Sequence, residues 1–202
     1  MRLFSKTISY IFHPIFTPIF GTLIYFLLTP KYATILEIVS INILPIFILT
    51  VVIPIICFYL LKSMGILNSI FISNIKERKY PFFINIALLF IVLLKVIPNN
   101  YNPEVFFYFL GLIAAYISSL LLLILNFKSS MHLMSIASLL MFTINLSIHF
   151  EINIILLISL LVTLSGLIAS ARIYLKAHTK SEVIIGFIVG FGTQLLTIKF
   201  WL

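Results

Sequence analysis

Aspartate is absent from this 202-residue chain, cysteine occurs once, and charged side chains make up only 9% of it. Each shortage closes off a class of protein. A soluble domain carries about 25% charged residues, so a chain that is 62% hydrophobic with a mean hydropathy of +1.25 has too little polar surface for water. A lone Cys57 rules out a disulfide within the chain and reads as a small packing residue. There is no internal repeat, low-complexity linker or extramembrane domain. No paired broken spans suggest an inverted-repeat transporter, and no serine sits in a Gly-x-Ser-x-Gly setting. Thirteen Lys and Arg against five Glu make the chain basic, yet no Lys/Arg-rich face could carry a nucleic acid. Membrane phosphates or anionic lipids are the better partners.

The apolar runs that fill the chain are ~17–25 residues long, the length of membrane-spanning helices and not of barrel strands. They predict an all-α, polytopic transmembrane bundle of about seven spans (six or seven), forming a single domain over residues 1–202. The expected spans are Ile8–Leu28, Ile38–Leu61, Pro81–Ile97, Val105–Leu125, Met131–Ile148, Asn153–Ile173 and Ser181–Ile198. Pro14 and Pro18 should kink or loosen the first. That segment is too long for a signal-peptide core and lacks a small-x-small cleavage site, so it is expected to stay as a span. Pro81 is expected at the first helical position of the third span.

Counting crossings assigns each polar connection to a face. One face collects Arg2, Lys6, Lys62, Lys76, Arg78, Lys79, Lys128, Arg172, Lys176 and Lys180; the other holds Lys31, Lys95 and Lys199. The positive-inside rule would place the richer face in the cytoplasm. Cations that bind a substrate would not count toward that rule. His149 and Glu151 fall on the poorer face and are expected to be solvated.

Three stretches on the richer face each lead into the amino end of a span: IKERKYPFF from Ile75, NFKSSMHLMS from Asn126, and ARIYLKAHTKSE from Ala171. Helix amino ends carry unsatisfied N–H groups and partial positive charge, so three of them with added Arg, Lys and His would form an anion-binding bowl. The stretch Thr179-Lys180-Ser181-Glu182 also fits a capping box, and Ser129 or Ser130 fits a helix N-cap. Lys176 and Lys180 suit headgroup anchors. His13, before Pro14, lies on the same face and is expected to be structural.

Arg172, five residues, His178, three residues and Glu182 resemble the third signature, Ser-Arg-x5-His-x3-Asp, of the type 2 phosphatidic acid phosphatase superfamily. Ser129-Ser130-Met131-His132 resembles its second, Pro-Ser-Gly-His. Ala171 stands at the family's Ser, Glu182 at its Asp, and the basic, Pro-ended KERKYP occupies the place of the first signature, Lys-x6-Arg-Pro. The resemblance implies a catalytic core over 76–199 and a metal-free, cofactor-free hydrolysis of a lipid phosphate monoester or diphosphate. It makes His178 the nucleophile, Glu182 the residue orienting it and His132 the acid for the leaving group. It makes Arg172, Ser130 and a cation from Lys76, Arg78 or Lys79 the ligands of the phosphate oxygens. It further implies a multi-pass protein of a bacterial inner membrane with its active face in the periplasm. The eroded first and second signatures leave open a non-catalytic relative that binds or transports an anionic lipid.

Overall fold

The computed structural model describes residues 1–29, 43–67, 75–97 and 102–201, apart from the side chains of residues 75 and 76. Every regular element among them is helical: α1 (Arg2–Ile11), α2 (Thr17–Leu28), α3 (Leu44–Ser63), α4 (Ile75–Ile91, continued by a π turn, Val92–Val96), α5 (Pro103–Ile124), α6 (Met131–His149), α7 (Ile155–Tyr174) and α8 (Lys180–Thr197). Taking α1 and α2 together, seven helices among the described residues are long and apolar enough to cross a membrane. The protein is therefore a multi-pass membrane protein, all-helical over the described residues. The first part of the second expected span, residues 38–42, and Lys31 lie outside the described residues.

The prolines loosen the first span to the point of a break, and the expected start of the third span is corrected. His13 takes an extended conformation (ψ 138°), as a residue before proline prefers, and a 3₁₀ turn at Pro14–Phe16 follows. Pro81 lies inside α4, which starts at Ile75. Its ring removes only the bond to the Glu77 carbonyl in the second turn, near the surface where water can take that place. Arg78 and Lys79 therefore sit on the helix itself and not ahead of it.

Helix α6 is the axis of the bundle, with 72% of its most apolar window buried. Its partner α8 approaches so closely that side chains cannot fit between them. A Cβ on Gly186 would lie 2.5 Å from the Ser130 carbonyl oxygen, and one on Gly190 would overlap the Met134 carbonyl. This is the small-xxx-small contact by which membrane helices gain packing when burial from water is no longer a driving force. Buried polar groups tie the rest. Gln194 Nε2 donates to Tyr108 O at 3.0 Å, Tyr108 OH donates to Thr17 O at 2.7 Å, and the Tyr108 ring stacks on Phe142 at 4.2 Å. Several Thr and Ser hydroxyls in the spans bond their own carbonyls one turn back, as Thr22 does on Pro18 O and Thr143 on Leu139 O. Leu121, Ile124, Leu156 and Leu196 are exposed, as lipid-facing side chains should be.

At the other end of the bundle His149 departs from the solvated role expected for it. Its Nε2 lies 3.4 Å from Glu104, a carboxylate only 1% exposed that Tyr25 OH also approaches at 3.1 Å. Glu104 opens α5 where His149 closes α6, so two helix ends meet around one buried carboxyl group. Glu151 is exposed.

Candidate active site

The connections that carry the site begin with the same local device. Helices α5 and α7 end in Schellman motifs, with Asn126 (φ 62°) and Lys176 (φ 53°) in the left-handed conformation. In α7 the Ala177 N–H bonds Arg172 O at 3.1 Å and the Lys176 N–H bonds Ile173 O at 2.9 Å. The chain reverses within two residues, which sets Lys128 and His178 close beneath the openings of α6 and α8. Lys176 is thus a helix stop as well as an exposed cation.

His178 is buried, and its Nδ1 lies 2.7 Å from Glu182 Oε2. A carboxylate only accepts, so the proton is on Nδ1 and the Nε2 lone pair is left for chemistry. Glu182 caps α8 at the same time. The same Oε2 accepts from the Thr179 N–H at 3.2 Å, while Thr179 Oγ1 accepts from the Glu182 N–H at 3.3 Å. Capping and orienting are therefore one arrangement: the box holds the carboxylate still, and the carboxylate holds the ring.

The second connection docks on the third. The Ser130 N–H donates to the Glu182 carbonyl at 2.9 Å, and Lys128 Nζ donates to the Ala177 carbonyl at 3.0 Å. Ser130 stands at the N-cap of α6, but its side chain caps nothing. Its Oγ is buried without a hydrogen-bond partner, and so is Arg172 Nε. Two unsatisfied donors in a buried setting are costly unless a ligand meets them.

The charges of Arg78, Lys128 and Arg172 all act on His178. Burial, and then these cations, push the His178 ring below the ordinary histidine range against the opposing pull of Glu182. Burial likewise lowers Lys128, with Arg78 and Arg172 adding to the effect and Glu182 opposing it. His132 opens α6 within the electrostatic reach of Arg172 and His178. Its Nε2–H donates to Ser9 O at 3.0 Å, and its ring meets His13 edge to face, 5.5 Å between centroids.

Of the residues picked from the sequence, His178, Glu182, Arg172, Ser130, His132 and Arg78 come together. Lys79 does not join them: it is exposed and lies over the Tyr80 ring. The Lys76 side chain lies outside the described residues. Lys128 and His13 are additions. Lys128 was legible as a basic residue two positions before Ser130, and His13 only as a histidine on the right face. Among the described residues, no three of His, Cys, Asp and Glu gather as a metal site.

What the arrangement offers is a neutral imidazole with a fixed tautomer, ringed by cations and by unpartnered donors. Such a setting suits a tetrahedral oxyanion whose negative charge grows during attack. No family model, curated protein or solved structure matches the chain, so its own residues carry the functional argument.

Proposed function

We propose that the protein is a membrane lipid phosphatase working through a phosphohistidine at His178, in the manner of the type 2 phosphatidic acid phosphatases it resembles. His178 Nε2 attacks phosphorus while Glu182 holds Nδ1–H and balances the charge that develops on the ring. Arg172, Ser130 and Arg78 take the equatorial oxygens. His132 protonates the departing oxygen, and water then releases phosphate from His178. The substrate is a lipid phosphate monoester or diphosphate, whose tail stays in the bilayer while its headgroup reaches the helix openings. The observation that carries the reading is the His178–Glu182 pair, 2.7 Å apart, beside the buried and unpartnered Ser130 Oγ and Arg172 Nε.

The purified chain is expected to release phosphate from a lipid phosphate in EDTA. Glu182→Gln separates the two tasks of that carboxylate, because Gln still serves in a capping box. Thermal unfolding should hardly change, while phosphate release falls by up to about 10⁴-fold, the loss seen when a catalytic histidine loses its orienting carboxylate. Lipid bound but never hydrolysed by the wild type leaves a non-catalytic lipid binder instead.

In this reading the site end of the bundle faces the periplasm of a bacterial inner membrane. Ser181 is exposed there. In a Cys57→Ser background, Ser181→Cys should react with an impermeant maleimide in intact, outer-membrane-permeabilised cells. Labelling only after the inner membrane is opened places the site in the cytoplasm.

A further inference from the structure

Helix α1 ends against the side chain expected to be the acid. Near its carboxyl end the His13 N–H, which would close the next turn on Ser9, bonds Tyr10 O instead at 3.3 Å. Pro14 follows and has no N–H to offer. The Ser9 carbonyl is therefore one of the orphan acceptors of a helix end, where the backbone dipoles also sum to partial negative charge. It receives the His132 Nε2–H at 3.0 Å. A carbonyl only accepts, so Nε2 keeps its proton and Nδ1 is left as the nitrogen that can exchange one.

The break that exposes this carbonyl is itself held by His13. Its Nδ1 accepts from the Ile15 N–H at 3.3 Å, capping the 3₁₀ turn Pro14–Phe16. The His13 ring also stands edge to face with His132.

We infer that His13 is a positioning residue for the reaction: by capping the α1–α2 break it holds the Ser9 carbonyl on His132 Nε2 and so presents Nδ1 to the leaving group. In the first step the P–O bond to the lipid breaks as the His132 Nδ1 proton passes to the departing alkoxide oxygen, and the ring becomes neutral. In the second step that nitrogen recovers a proton from the attacking water while phosphate leaves His178. The role rests on the phosphatase reading. The α1–α2 segment thus belongs to the site, although no part of the resemblance extends to it.

The test compares two substrates in detergent, a phosphatidate and p-nitrophenyl phosphate, whose phenolate leaves without needing a proton. General acid catalysis contributes about 10²- to 10⁴-fold, so His13→Ala, which misplaces the acid without removing it, should slow phosphatidate hydrolysis by about 10- to 100-fold. The rate of the p-nitrophenolate burst, which reports the first step alone, should stay within about twofold, because that departure draws on no acid and precedes the attack of water. His13→Asn supplies an oxygen acceptor of the kind preferred at helix N-caps and should bring phosphatidate hydrolysis back to within about threefold of wild type. Equal losses on both substrates, no loss on either, or failure of Asn to restore activity each overturn the inference. Phosphate released from neither substrate by the wild type removes the phosphatase reading itself, and this role with it.

Discussion

Phosphate release should fall by at least about 10⁴-fold when His178 is replaced by alanine, since removal of a nucleophile leaves only binding and oxyanion stabilisation. The fold should survive. The Thr179–Glu182 box that starts α8 does not involve the ring, and neither does the Ser130 N–H···Glu182 O bond. Unfolding in detergent checks the fold, and a phosphate assay on the same sample checks the chemistry. Full activity in His178→Ala would end the assignment of the nucleophile.

The pH profile carries a second signature of the same residue. His178 must be neutral to attack, and burial holds it below the ordinary histidine value of about 6.5. Activity should therefore persist below that pH and be lost only as the ring itself takes up a proton. Glu182 opposes the depression, so in Glu182→Gln the acidic limb should move to still lower pH even as the rate drops. Stability follows the same sign. As pH falls below about 6.5 the unfolded chain binds a proton that the folded ring refuses, so stability declines toward acid.

The second large effect lies one turn deeper. Gly190→Leu should prevent α6 and α8 from closing, because even a single added carbon would overlap the Met134 carbonyl. Overpacking of a tight interior costs about 1–3 kcal/mol, and more where backbone must move. Here the separation would propagate to Gly186 against Ser130 and to the Ser130–Glu182 bond that joins two parts of the site. Folded yield and phosphate release should be lost together. Gly192, on the same helix, meets nothing within 4 Å of an added Cβ, so Gly192→Ala should be neutral or stabilising by up to about 1 kcal/mol. Equal behaviour of the two variants would show that the close contact is not what joins the helices.

Much of the candidate site was legible because it is local. His178 and Glu182 flank a helix start, where the capping box folds the Glu182 carboxylate back toward the residues just ahead of the N-cap. Thr179 and Glu182 form that box. Contacts between distant segments were not legible. The His132–Ser9 bond spans 123 residues, and the Glu104–His149 pair joins the start of one helix to the end of another. Pro81 misled the reading of α4 because a proline in the second turn removes a single bond near water, which tertiary packing can override.

The sequence alone determined that this chain is built of helices of membrane-spanning length, where most of them end, and that most of its Arg and Lys fall on one side when crossings are counted. Hydrophobic length and local capping settle those points, and neither needs a partner helix. Only the tertiary structure decided which faces meet. In spans apolar all round, lipid and protein neighbours are equally apolar, so hydropathy carries no mark of the packed side. The choice fell to backbone contacts at Gly186 and Gly190 and to a few buried hydrogen bonds. Those contacts brought Ser130 to Glu182, Lys128 to the His178 connection, and the broken first helix to His132.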